Sequence, residues 1–550
     1  MGLLQQRQGL RNASPIDARQ FSQSKGHTRM SSLNLLKNRR DVVKTIWGAA
    51  LAGAAGFPML GQSATLGTNP LFGLGVASGE PHPQGFTLWT RLHKPNAIAP
   101  LSGIVPVSWE VAKDEQFKSV VQSGVALAEA TWGHSVHVDL SGLEPSRVYW
   151  YRFTAEGQMS AVGRTRTTPA ANSSEPLKFV IASCQRWDQG HFAAWHHVAQ
   201  EAPDLILFLG DYIYEYGPIQ GRVRMHEGGR VVSLENYRDR YAQYKSDPAL
   251  QAAHAVAPWM CTWDDHEVDD DYAGLVGADL QPEFQKQRNA AYQAYWENMP
   301  FPMSKRPNIQ AANVSFDLYR RTPWGNLAQI HFLDDRQYRD QQVCPRHNKA
   351  GSNVVKVADC PSVNVPGRTL LGFEQEAWLY KGWDTKRPWN LVAQQTLMAQ
   401  MRWSDPAAAD GGSFWTDGWD GYPASRARLL KSIQDKQVKG VVCLGGDVHA
   451  HFVTDLKANF DDIRSAVVAT EFCGSSISSF GMDNNTLQKS AAFNPHIKYA
   501  RSDQRGYISF TLTHKSLEAR IMALQNVNDP QSAIDVARVF TVDPMQPGAV

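Results

Sequence analysis

The sequence predicts a β-sandwich joined to a larger α/β domain, and three observations point that way. The chain has 550 residues, more than one hydrophobic core usually organises, so at least two domains are expected. Residues 70–168 read as short alternating segments broken by Gly, Pro and Asn, the pattern of a strand-only unit. From 177 to about 525, apolar strands alternate with helical stretches, as in an α/β domain around a buried sheet. Residues 526–550 are expected to form a C-terminal tail. At 43% hydrophobic and 20% charged, the chain is neither disordered nor collagen-like.

Ahead of both domains, residues 1–64 hold nine Lys and Arg against two acids, whereas the rest carry 46 basic and 51 acidic side chains. The formal charge of +2 thus divides into +7 and −5. A near-neutral total argues against a general nucleic-acid binder, which carries a basic excess. Arg39-Arg40, followed by Val42-Val43-Lys44, precedes an apolar, small-residue run from Ile46 to Leu60 and then Gly61-Gln62-Ser63-Ala64. A charged start, a short apolar run and small residues describe a secretory signal. The paired arginines resemble a twin-arginine signal. A periplasmic or secreted location is therefore expected, with the Tat export machinery as the precursor's partner. Counted from Met30, the signal has a conventional length. The run is too short and Gly-rich for a permanent span, and no transmembrane helix is expected downstream.

In the first domain, strands are expected at 86–92, 105–112, 135–140 and 147–155. The stretch Leu143-Glu144-Pro145-Ser146-Arg147-Val148-Tyr149 resembles the entry to a late strand of a fibronectin- or Ig-like domain. Tyr149 would be its corner tyrosine, with the hydroxyl bonded to upstream backbone. No chemistry is expected from this unit. After a linker at 170–176, strands are expected at 177–183, 205–209, 259–263, 327–333, 391–394 and 440–444, with a helix at 192–201. Of the six cysteines, only Cys344 and Cys360 lie in a polar stretch containing Pro, Asn and Gly, where a disulfide suits an exported protein. Cys184, Cys261, Cys443 and Cys473 end apolar strands and read as buried or ligating thiols.

The chemistry is expected at the strand ends, because α/β folds bring the loops there to a shared crevice. Four ends carry metal-compatible side chains: Ser183-Cys184-Gln185; Gly210-Asp211-Tyr212-Ile213-Tyr214-Glu215; Trp263-Asp264-Asp265-His266-Glu267; and Gly445-Gly446-Asp447-Val448-His449. Singly, Asp211 reads as a turn cap, Tyr214 as core, and the acid run from Asp264 to Asp271 as a solvated loop. Four together are best explained by cations offsetting like charges. Cys184, Tyr214 and His449 suit a small, strongly Lewis-acidic transition metal, and Asp265 and Asp447 suit calcium or magnesium. Asp211 could bridge the two.

These stretches, with Gly75-Val76-Ala77-Ser78-Gly79-Glu80-Pro81, Leu333-Asp334-Asp335-Arg336-Gln337-Tyr338-Arg339 and Glu471-Phe472-Cys473-Gly474-Ser475-Ser476, make the chain resemble the PhoD-like alkaline phosphatases. That family is a branch of the calcineurin-like metallophosphoesterases. The resemblance implies a four-layer α/β/β/α sandwich and an exported enzyme with an Fe3+ and Ca2+ centre, acting on phosphomonoesters and phosphodiesters. Carried over by position, Cys184, Asp211, Tyr214 and His449 are the iron ligands, and Asp211, Asp265 and Asp447 the calcium ligands. Asp265 stands where related enzymes commonly have Asn, Gln395 where they often place a metal-binding His, and Asp335 in place of Thr.

A metal-activated hydroxide is expected to attack phosphorus in line. His266 is the candidate acid for the leaving alkoxide, oriented by Asp264 or Glu267. Arg336 either neutralises a phosphate oxygen or makes a structural salt bridge with Asp334 or Asp340. Two other functions remain open in the sequence: a phospholipase D-type phosphodiesterase, with Trp415, Trp419 and Tyr422 as an aromatic wall, and a catalytically silent phosphate- or metal-binding exoprotein.

Overall fold

The computed structural model describes residues 71–94 and 101–550; the export segment expected at 1–64 lies outside the described residues. Strands Leu177–Ala182, Leu205–Phe208 and Trp259–Cys261 are apolar along nearly their whole length, so both their faces need cover. They run parallel inside a nine-stranded sheet. Ala328–Phe332, Trp389–Ala393, Val441–Gly445 and Val467–Cys473 do the same in a seven-stranded sheet.

The two sheets share one core, in which Phe179, Ile181 and Leu207 cluster with Ile330, Phe332, Leu391 and Leu444. Helices Ala193–Glu201, Leu234–Lys245, Pro248–Val256 and Phe284–Asn298 cover the outer face of the first sheet through Trp195, Tyr241, Leu250 and Tyr292. Phe373–Lys381, Pro423–Asp435 and Asn484–Ala491 cover the second through Leu379, Leu429 and Leu487. The layers therefore run α/β/β/α. Each element expected between 177 and 444 lies within about two residues of its observed bounds. Among the described residues, no helix is long and apolar enough to cross a membrane.

Two boundaries differ from expectation. Residues 526–550 are not a loose tail: Ile534–Val542 pairs antiparallel with Leu517–Leu524 at the edge of the nine-stranded sheet. Within that strand only Phe540 and Val542 are buried, so it lacks the apolar run that marks the central strands. The N-terminal unit is likewise not a free-standing sandwich. Val76–His82, Gly85–Arg91 and Ser135–Asp139 continue the nine-stranded sheet, the first pairing in parallel with Trp259–Cys261. A second sheet built on Ile104–Ala112, Val120–Glu129 and Val148–Ala155 packs over them, with Val107 and Tyr151 against Leu88 and Val136. Tyr149 behaves as a corner tyrosine, its hydroxyl accepting from the Glu144 N–H at 3.0 Å.

Cys344 and Cys360 are bridged across a sequence separation of 16. Closing a loop of that size stabilises a fold by about 3 kcal/mol in the chain-entropy account. A reductant should therefore lower the unfolding midpoint of the parent and leave a Cys344→Ser/Cys360→Ser variant unchanged.

Candidate metal centre

Parallel strands deliver their following loops to one edge, and here four loops meet. Cys184 follows Leu177–Ala182, Asp211 and Tyr214 follow Leu205–Phe208, Asp265 and His266 follow Trp259–Cys261, and Asp447 and His449 follow Val441–Gly445. Four of these residues hold a left-handed backbone: Cys184 at φ 57°, Asp211 at 61°, Asp447 at 66° and His449 at 52°. Such conformations cost non-glycine residues on the order of 1 kcal/mol or more each and persist where surrounding structure enforces them. Gly210, at φ 109°, permits a close approach of two loops: a Cβ there would lie 2.5 Å from Asp264 Cβ and 2.8 Å from its backbone nitrogen. Gly210→Ala should therefore destabilise the fold by about 2 kcal/mol or more, read from urea unfolding.

The side chains form three linked groups. Cys184, Asp211 and His449 place ligand atoms within 4.8 Å of one another, as do Asp211, Asp265 and His266, and Asp265, Asp271 and Asp417. Tyr214 joins the first group, its hydroxyl donating to Asp211 Oδ2 at 2.8 Å and lying 3.1 Å from His449 Nε2. Asp211 and Asp265 are each shared by neighbouring groups, so a single carboxylate links each group to the next.

Oδ1 of Asp211, Oδ1 of Asp265, Oδ2 of Asp264 and Oδ2 of Asp447 are enclosed without a hydrogen-bond donor. An enclosed, unpaired carboxylate oxygen is costly unless a cation or a proton meets it. Burial, reinforced by neighbouring carboxylates, holds Asp211 and Asp447 well above the usual carboxylate range. Burial and then Asp211 likewise push up the Cys184 thiol and the Tyr214 phenol. Burial, aided by Arg505, lowers His449 to about 3, which keeps the imidazole neutral as a ligand must be. Its Nδ1 is fixed 2.8 Å from the Phe480 carbonyl, leaving Nε2 toward Asp211 and Tyr214. The donor set fits cations: thiol, phenol, imidazole and carboxylate at one end, and mainly carboxylates at the other.

His266 is held differently from the sequence expectation. Its Nδ1 lies 2.8 Å from Oε2 of Glu215, a fully buried residue, and its ring packs 4.1 Å from that of Tyr214. Burial opposes the imidazolium, but Asp265, Glu215 and Asp211 outweigh it and raise His266 well above the usual value. Asp264 is occupied by Arg336. Glu267 accepts the backbone N–H groups of Asp211, Tyr212 and Asp264 at 3.1, 2.6 and 2.8 Å, tying two of the ligand loops together. Glu215 was legible as part of the Gly-Asp-Tyr-Ile-Tyr-Glu stretch, but only the fold sets it against His266.

Arg336 is also placed differently. It is 1% exposed and pairs with Asp264 and Asp417, the latter at 2.8 Å, with Asp265 at 3.7 Å. With three carboxylates around it, the guanidinium offsets their charge and does not line the cavity over the centre. The expected partner Asp334 instead accepts the Arg336 backbone N–H at 3.0 Å. Gln395 lies outside the three groups: it donates to Thr262 Oγ1 at 2.6 Å and accepts from the Asp335 N–H at 3.2 Å. Arg240, which sequence alone gave no reason to select, is buried and donates to the carbonyls of Tyr214 and Tyr216, clamping the loop that carries Tyr214 and Glu215.

A cavity of about 540 Å³ opens over these groups and is lined by Asp211, Asp265, His266, Asp447 and His449. The expected aromatic wall divides. Trp415 lines the cavity, whereas Trp419 and Tyr422 are fully buried in the core beneath the second sheet.

This arrangement has relatives. A family model described as PhoD-like phosphatase matches residues 179–521, and one described as the N-terminal domain of PhoD-like phosphatase matches residues 60–169. Alkaline phosphatase D of Bacillus subtilis (strain 168) is 41% identical over 499 residues, covering 87% of this chain and 82% of that protein. A solved structure titled "Structure of PhoD" superposes with a TM-score of 0.82 at 40% identity, covering 88% of this chain and 92% of that one. The purple acid phosphatase PPD1 from yellow lupin seeds shares the fold at a TM-score of 0.51 and 14% identity, over 85% of this chain and 74% of its own. On the two family matches and this extent of identity, the chain belongs to the PhoD-like phosphatase family.

Proposed function

We propose that this chain is an exported alkaline phosphatase D-type enzyme that hydrolyses phosphomonoesters and phosphodiesters at an iron and calcium centre. Phosphoric ester hydrolysis follows from the family to which the chain belongs. Cys184, Asp211, Tyr214 and His449 would hold Fe3+. Asp211, Asp265 and Asp447 would hold Ca2+, with Asp265, Asp271 and Asp417 as a second calcium position. The observation that carries this reading is the run of three groups joined through Asp211 and Asp265 beneath an open cavity. Asp447 enters none of the three and joins the site through its buried, unpaired Oδ2 at the cavity floor.

When bound, the cations supply Lewis acidity that activates water and offsets phosphate charge. His266 protonates the leaving alkoxide, and Glu215 fixes the ring through Nδ1 so that Nε2, 3.9 Å from Asp270 Oδ1, is the edge left to act. Glu267 and Arg240 act as positioning residues, holding the ligand loops in register. Phosphate is thus drawn in by the centre and not by the chain's overall field, since residues beyond 64 sum to −5.

Elemental analysis of natively exported protein, paired with p-nitrophenyl phosphate, bis-p-nitrophenyl phosphate and phosphatidylcholine as substrates, tests the reading. Iron with calcium and turnover of the first two is the expected result. Zinc alone would overturn the ligand assignment, a preference for phosphatidylcholine would favour a phospholipase D-type enzyme, and no turnover would leave a binding protein.

A further inference from the structure

The cavity has two unlike halves. Against the carboxylate and imidazole floor stand Val354, Leu397, Trp403, Trp415, Phe452 and Met482, and among the described residues no Lys or Arg lines it. Two of these side chains sit in water at the mouth, Val354 at 55% and Met482 at 38% exposure. Large apolar groups left exposed together beside a concave site mark a place where a ligand completes their burial.

The wall is built to stay in place. Val354–Lys356 and Ser413–Trp415 pair antiparallel, with Val354 directly opposite Trp415. Because side chains alternate along a strand, this pair shares one face and the next, Val355 and Phe414, takes the other. The cavity face is the Val354–Trp415 one. On the opposite face, Phe414 and Val355 pack with Val343, Val363 and the bridged Cys360. Ser352, just before the first strand, donates from its N–H at 2.9 Å and its hydroxyl at 2.6 Å to Asp271 Oδ2. The hairpin is thus tied to the disulfide behind it and to the carboxylate groups below.

We propose that this wall is a subsite for an uncharged aromatic or alkyl group carried on the phosphate, so that the enzyme favours apolar esters over those bearing further anionic groups. The proposal rests on the reading of the floor as the phosphate site. With no Lys or Arg among its described lining residues, the wall leaves a second anionic group held away from the proposed cations unpaired beside Asp270, while a ring against Trp415 and Trp403 removes apolar surface from water.

Phosphonates test this without any leaving-group chemistry. In calorimetric titration of the metal-loaded enzyme, phenylphosphonate should bind about tenfold or more tightly than methylphosphonate, and 4-carboxyphenylphosphonate should lose most of that advantage. Trp415→Ala should bring the phenyl-to-methyl ratio to within about twofold of unity, whereas Trp415→Phe should retain part of it. Met482→Lys, at an exposed position that does not threaten folding, should reverse the preference between the phenyl and carboxyphenyl ligands. Equal affinities for phenyl- and methylphosphonate in the parent would overturn the subsite. Turnover of p-nitrophenyl phosphate, measured alongside, reports separately on the reading beneath it: its absence with a retained phenyl preference would sink the hydrolase assignment and leave the subsite standing.

Discussion

Asp211→Ala should strip iron and calcium together and lower turnover of any phosphate ester by roughly a thousandfold or more. The reason is geometric: Asp211 belongs to the group with Cys184 and His449 and also to the group with Asp265 and His266. Cys184→Ser should behave differently, losing iron while retaining calcium, because its thiol reaches only the first group. The same substitutions should separate function from stability. In the metal-free state one Asp211 oxygen is enclosed and unpaired while the other accepts from the Tyr214 hydroxyl, so removing the carboxylate relieves one buried cost and adds another. The metal-free Asp211→Ala protein should therefore unfold close to the midpoint of the metal-free parent, in contrast to its loss of activity. Full metal content and full activity in Asp211→Ala would sink the centre as assigned.

His266→Gln should slow hydrolysis of alkyl phosphates by about a hundredfold to ten-thousandfold, the usual contribution of a general acid. Its effect on p-nitrophenyl phosphate should be far smaller, since p-nitrophenolate leaves without help. Equal losses on both would mean that His266 does not protonate the leaving group. Glu215→Gln adds a test through pH. Glu215 is among the groups that raise His266, so its removal lowers the pH at which the imidazole gives up its proton. The acid form is then lost sooner as pH rises, and the alkaline limb of the alkyl-phosphate profile should move to lower pH. A merely structural role for Glu215 would lower the whole profile and leave its limbs in place.

Much of this site was legible before the fold. Cys184, Asp211, Tyr214, Asp265, Asp447 and His449 each sit just past an apolar strand, and parallel strands must send their loops to one edge. What could not be read was which side chain faces which. Asp264, Glu215 and Glu267 are chemically equivalent partners for His266 on paper. Distances decide among them, because Arg336 claims Asp264, three backbone N–H groups claim Glu267, and Glu215 is left 2.8 Å from the ring. Arg336 was ambiguous for the same reason: a cation beside acids can serve substrate or structure, and only the fold shows it 1% exposed beside Asp264, Asp265 and Asp417.

By itself, then, the sequence determined the elements that depend on local pattern: the apolar strands, the helix after the first of them, the corner tyrosine and the residue types at the strand ends. Tertiary structure alone decided the elements that depend on partners distant in the chain. Ile534–Val542 has only two buried residues, yet hydrogen bonds to Leu517–Leu524 make it a strand. The first three strands of the nine-stranded sheet read as a separate module, yet Val76–His82 pairs with Trp259–Cys261 across more than 170 residues. Left-handed backbones at four of the proposed ligands leave no mark in composition either, because side-chain pattern records burial while strain records the closure of the whole chain around the centre.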